Sequence, residues 1–124
     1  MMVNATFEIV ITPEEGLLPE TRRFEFAKVW QGEAVGASRG VMLSAGDPAD
    51  GTAGYVALEV FEGRIGARTG TVAFQQFGTM RGGEQELRYE VVPGSGTGEL
   101  EGATGTLSLD IDPDGVHHIA FDLA

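Results

Sequence analysis

The dominant pattern along this chain is alternation of apolar and polar residues with a period of two, the signature of half-buried β-strands. Phe7, Ile9 and Ile11 alternate with Thr6, Glu8 and Thr12 at the start. Pro13-Glu14-Glu15-Gly16 breaks that run. Leu17 to Glu20 is the one segment that reads as a short helix or irregular cover. A second strand carries Phe24, Phe26 and Trp30 on one face, with Arg23 and Glu25 on the other. Gly32 and Gly36 read as a turn. A third strand spans about Ala37 to Ala45 and ends at Gly46-Asp47-Pro48-Ala49-Asp50-Gly51. The fourth, about Ala53 to Ile65, is the longest. It sets Val56, Leu58 and Val60 against Tyr55, Ala57, Glu59 and Phe61. Gly66-Ala67-Arg68 leads into a fifth, about Thr69 to Met80, and Arg81-Gly82-Gly83 turns again. The sixth shows Leu87, Tyr89 and Val91 against Arg88 and Glu90. Beyond a glycine-rich break, Leu107, Leu109 and Ile111 mark the seventh, Asp112-Pro113-Asp114-Gly115 a turn, and Ile119, Phe121 and Leu123 the eighth.

About eight short strands with tight connections and no helical period predict an all-β fold. Closing such a meander removes its exposed edges, so an antiparallel barrel of about eight strands is favoured, with a two-sheet sandwich as the alternative. Such a barrel is filled by side chains or holds one small ligand. The fourth and fifth strands are apolar on both faces. Their outer face therefore needs a cover, from Leu17–Glu20 or from another subunit.

Length and composition narrow the function classes. At 124 residues the chain, residues 1–124, reads as one domain. Its 19 glycines are about twice the usual share, as turn- and bulge-rich β proteins require. The formal charge of −11 disfavours nucleic acid and anionic membrane as partners, since both need basic surface. The chain has no cysteine, hence no thiol nucleophile or disulfide. A basic-then-apolar leader is missing at the start, so the expected compartment is the cytoplasm.

The run Val91-Val92-Pro93-Gly94-Ser95-Gly96-Thr97-Gly98-Glu99-Leu100 invites a phosphate-loop reading. That motif needs Lys and Ser/Thr after its last glycine, opening a helix. Here Glu99-Leu100-Glu101 follows, which repels phosphate, so the run reads as a bulged strand crossing. Asp110-Ile111-Asp112-Pro113-Asp114-Gly115 resembles the start of a calcium loop, but Phe121 stands where the bidentate Glu belongs. His117 and His118 are adjacent on a strand and point to opposite faces, so no metal site is expected. No cofactor is implied.

Glu59 is the candidate with chemical interest, because it sits mid-strand in an apolar stretch. One reading is a proton-handling group in a barrel cavity, with Gln75, Gln76, Arg88 or Tyr89 orienting a substrate. The other is a structural ion pair with Arg88 or a hydrogen bond to Tyr89 or Gln75. Trp30, Phe74, Tyr55 and Tyr89 are either the lining of a lipophilic pocket or plain core.

A resemblance extends this reading. Gly32-Glu33-Ala34-Val35-Gly36, Val56-Ala57-Leu58-Glu59, Phe61-Glu62-Gly63, Gly66-Ala67-Arg68-Thr69-Gly70, Gln75 and Gly78-Thr79 occur in that order, followed by the Val91–Leu100 run with Gly102 and Gly105. From about Thr21 to its end the chain resembles a bacterial family of small proteins classed as a domain of unknown function. The resemblance implies an eight-stranded barrel like that of allene oxide cyclase, a plant enzyme that closes a ring in an unstable fatty-acid epoxide held inside its barrel. It does not imply that reaction. Where relatives tend to carry histidine, this chain has Gln76, which cannot exchange protons near neutral pH. Three functions follow as expectations: binding of a small lipophilic molecule through Trp30, Tyr55, Glu59, Phe74, Gln76, Arg88 and Tyr89; a cyclase- or isomerase-like enzyme using Glu59; or a homo-oligomeric interaction scaffold.

Overall fold

A computed structural model describes all 124 residues. Eight strands follow in chain order: β1 (Met2–Glu14), β2 (Thr21–Gly32), β3 (Ala34–Asp47), β4 (Thr52–Ile65), β5 (Arg68–Arg81), β6 (Glu84–Val91), β7 (Gly105–Ile111) and β8 (His117–Leu123). Each pairs antiparallel with its sequence neighbours, and β8 returns to β1, so the sheet is a closed barrel rather than a sandwich. The only helical turns are two short 3-10 segments, Pro48–Asp50 and Gly98–Leu100. No helix is long and apolar enough to cross a membrane.

The alternation in the sequence becomes inside and outside. Phe7, Trp30, Phe61, Phe74, Tyr89, Leu107 and Phe121 all point inward and are buried. Arg88 points outward because its neighbours Leu87 and Tyr89 point inward. Gly82 and Gly83 both have positive φ, 56° and 82°, as the two-residue hairpin between β5 and β6 requires. Gly36 is not part of a turn. The chain reverses at Glu33, and Gly36 lies within β3 opposite Gly63.

Two expectations are corrected. Leu17 to Glu20 forms no helix and covers nothing; it is the tip of the β1–β2 hairpin, and Leu17 and Leu18 are themselves exposed. The register holds Glu14 against Arg23, so the tip projects beyond the barrel rim and cannot fold back onto β4 and β5. The glycine-rich run is not a bulged strand either. Strand β6 ends at Val91, and β6 and β7 meet only at Glu90 and Thr106. The intervening loop takes over the pairing with β5: Val92 N–H donates to the Ala73 carbonyl (2.9 Å) and Thr97 N–H to the Thr71 carbonyl (2.8 Å). Ser95 Oγ accepts from the Ala73 amide at 3.0 Å. This approach is so close that a Cβ on Gly70 would collide with the Thr97 carbonyl oxygen. Leu100 then drops into the barrel core, and Ala103 is buried beside it in the chain. The loop is a plug that seals one end.

Candidate functional site

The two barrel ends differ. At the plugged end Trp30, Ala34, Phe61, Ile65, Val72, Phe74, Leu100 and Phe121 leave almost no accessible surface. At the other end Ile9, Phe24, Met42, Tyr55 and Leu109 are only partly buried. An inner pocket of about 140 Å³ opens there, lined among others by Phe7, Ile9, Phe26, Ala57, Gln76 and His117. It adjoins an outer vestibule of about 350 Å³ through shared walls at Met42, Tyr55 and Leu109. The vestibule exists because the hairpins carry β3, β4 and β5 past the last filled layer of the core.

The floor between plug and pocket is polar. Lys28 and Glu59 are 3% and 1% exposed, and Lys28 Nζ donates to Glu59 Oε1 at 2.9 Å. Tyr89 Oη donates to the same oxygen at 2.6 Å and accepts from Lys28 at 3.1 Å. Ser38 Oγ donates to Glu59 Oε2 at 2.7 Å, and Trp30 Nε1–H donates to Ser38 Oγ at 2.9 Å. Both carboxylate oxygens of Glu59 are thus occupied as acceptors, so this buried charge is paired and hydrogen-bonded. Gly40 makes the room: a Cβ there would run into Phe26 and Glu59.

Lys28 also sits over aromatic faces, its ammonium 4.3 Å from the centre of the Phe7 ring and 5.1 Å from that of Phe26. Burial pushes its pKa down, against the opposing pull of the Glu59 charge. Burial raises the Tyr89 phenol well above its ordinary value, and the Glu59 charge adds to this. Tyr55 moves the same way for the same two reasons. Tyr55 Oη donates to Gln76 Oε1 at 2.8 Å on the pocket wall.

Of the residues singled out from the sequence, Tyr55, Gln76 and Tyr89 line the inner pocket, and Glu59 lies behind Lys28 and Tyr89 beneath it. Trp30 and Phe74 belong to the packed plug and line no wall of the pocket. Arg88 is corrected outright. It stands on the outer surface with Glu90 as its partner at 3.6 Å, so the cation that meets Glu59 is Lys28. Gln75 likewise faces outward. The Tyr89 hydrogen bond to Glu59 is present as one reading expected. Lys28 was missed, although alternation places it between Phe26 and Trp30 on the inward face.

The histidines separate. His117 stacks on Phe7 at 4.8 Å between ring centres and joins the pocket wall. His118 Nε2 lies 2.8 Å from Asp112 Oδ2 outside the barrel. Asp112 Oδ1 accepts from the amides of Asp114 and Val116, fixing the β7–β8 turn.

The comparisons agree with this architecture. A crystal structure of a protein of unknown function from the DUF3224 family of Shewanella oneidensis is similar to the whole chain. It is 36% identical, with a TM-score of 0.93 over 100% of this chain and 96% of that one. No curated protein matches. The profile of the family described as "Protein of unknown function (DUF3224)" matches residues 3–123, and the chain belongs to that family.

Proposed function

We propose that the open end of the barrel binds a small lipophilic molecule carrying one uncharged hydrogen-bonding group, such as a hydroxyl or ketone, with that group against Lys28 and Tyr89. The observation that carries this reading is the inner pocket: apolar walls over a floor where the Lys28 ammonium has three protons and only two hydrogen-bond acceptors in the protein. A carbonyl or hydroxyl oxygen supplies the third. A pocket of about 140 Å³ takes a group the size of one ring or a short chain, and the vestibule of about 350 Å³ takes the rest.

The charge balance selects a neutral headgroup. Lys28 is already neutralised by Glu59, so an anionic ligand would bury a second, uncompensated charge. The chain's charge of −11 adds to that penalty. Binding is favoured over proton transfer because Glu59 is enclosed by three donors and does not line the pocket. Its part is to hold Lys28 and Tyr89 in place.

Trp30 is the lone tryptophan and lies 5.6 Å from Lys28 Nζ, so its fluorescence reports on the floor. Titration with an alcohol, a methyl ketone, a carboxylate and an alkane of one chain length tests the reading. The alcohol and ketone should change the emission and raise Tm, with the carboxylate and alkane clearly weaker. Silence from all four would overturn the pocket, and a preference for the carboxylate would overturn the headgroup. Native mass spectrometry of freshly purified protein should show a co-purified neutral lipid.

A further inference from the structure

We propose that the outer face of β3, β4 and β5 is a docking surface for a second copy of this chain, joined by a two-fold axis through that face. Val41, Leu43, Val56, Leu58, Val60 and Phe77 all point outward here and are all exposed, Leu58 at 56% and Phe77 at 59%. The register makes them contiguous: Val41 lies opposite Leu58, Leu43 opposite Val56, and Val56 opposite Phe77. All but Val60 frame a shallow groove of about 480 Å³ bounded on one side by Arg88 and Glu90. Nothing in the chain covers the face, since the β1–β2 hairpin tip lies off the rim with its own leucines exposed.

Three observations name a second copy as the occupant. The first is area. The six side chains expose roughly 500 Å² together, at the upper end of what a monomer shows and more than half of the ~800 Å² per partner of a standard interface. The second is charge. The chain carries 19 acidic against 8 basic residues, so copies repel one another over most of their surface. On this face Arg39 and Arg88 balance Glu62 and Glu90. A two-fold axis can set the Arg88 of one copy near the Glu90 of the other. The third is that the face stands alone. The other exposed valines of the outer wall are scattered beside charges, Val29 opposite Glu8 and Val35 opposite Arg64. With one such patch per copy, closure requires that it meet itself, which is an isologous pair rather than a ring. The barrel has no free strand edge, so pairing must be face to face.

Light scattering after size exclusion decides this, and its outcome is independent of whether the pocket binds a ligand. The wild-type chain should run at twice its 13.1 kDa mass. Leu58→Glu and Phe77→Glu should each run at the single-chain mass with Trp30 emission unchanged. Val10→Glu, the same change on the outer wall of β1, should keep the dimer. If the glutamates disturb folding, Leu58→Thr and Phe77→Thr keep strand propensity and should still weaken the dimer at least tenfold. A wild-type chain that stays single at ~100 µM, a mass of three or more copies, or a dimer that survives both glutamates would overturn the proposal.

Discussion

At one end of the barrel Trp30 packs against Phe121, Phe61 and Phe74 with ring centres 5.6, 5.9 and 6.2 Å away. At the other, Ile9, Met42, Tyr55 and Leu109 point inward from β1, β3, β4 and β7 and surround a void. The strands alternate identically at both ends. The difference lies in what fills the axis. At the plugged end, bulky aromatics from four strands meet Leu100 from the glycine-rich loop. At the open end Gly40 and Gly78 stand at inward positions and four hairpins extend past the last filled layer. A barrel of this size is nearly full by default. A pocket therefore requires inward rings laid against the wall, as Tyr55 is over Gly78 and Phe26 over Gly40, with a polar layer beneath it that the apolar plug supports.

The comparison can be broken by truncating one residue at each end. Phe74→Ala should cost about 3–5 kcal/mol, because the plug cannot collapse onto the space it leaves. Met42→Ala, on the pocket wall, should cost roughly 1 kcal/mol, since that side already borders a void. Urea unfolding followed by Trp30 emission measures both. Equal losses would mean the two ends are packed alike.

The boundary layer is tested by Glu59→Gln, which leaves Lys28 buried without its counter-charge and should cost about 3 kcal/mol near neutral pH. The sign of the pH dependence follows from the lowered Lys28 pKa. Without Glu59 that pKa falls further, and between it and the unfolded value near 10.5 the unfolded chain binds the extra proton. The variant should therefore gain stability as pH rises through that window. Adding Lys28→Met should restore most of the loss and abolish the pH dependence. A pair whose double variant is no better than the single would not be coupled as the geometry requires.

A smaller effect separates the phenols from ordinary ones. Both tyrosines of the chain have raised pKa values. Below pH ~10 they are protonated folded or unfolded and leave stability unchanged. Above it the unfolded chain ionises first, so stability falls with rising pH. Absorbance at alkaline pH should show no tyrosinate at the usual midpoint, then release of both with unfolding. Tyr55→Phe should leave the more resistant phenol. The smallest effect belongs outside the barrel. His118, and next the Val116 amide, hold the Asp112 carboxyl below its usual range. Asp112→Asn should lower Tm slightly at neutral pH. The difference should vanish in acid, as the native Asp112 protonates below pH ~4.

How far the site was legible can be read from single residues. Alternation alone puts Lys28 on the face of Phe26 and Trp30, and Glu59 on the face of Tyr55 and Phe61. The two buried charges were thus available from the sequence, though only Glu59 stood out in its apolar run. The same parity excludes Arg88, which stands between inward Leu87 and Tyr89. What parity cannot supply is axial depth. Trp30 and Tyr55 both face inward, yet one is sealed in the plug and the other lines the pocket. The glycine-rich loop defeated local reading for a related reason. Its partner is β5, some 25 residues earlier in the chain, and its plug role depends on Leu100 reaching the axis.

The sequence by itself determined about eight strands, their alternation and most of their turns, because period and turn chemistry are local, and it favoured a barrel over a sandwich without closing β8 on β1. Tertiary structure alone decided which end is closed, that Lys28 rather than Arg88 meets Glu59, and that the outer face of β3–β5 stays bare. Those outcomes depend on how far along the barrel axis each inward residue sits and on which distant segment reaches it, and neither is encoded in a period of two.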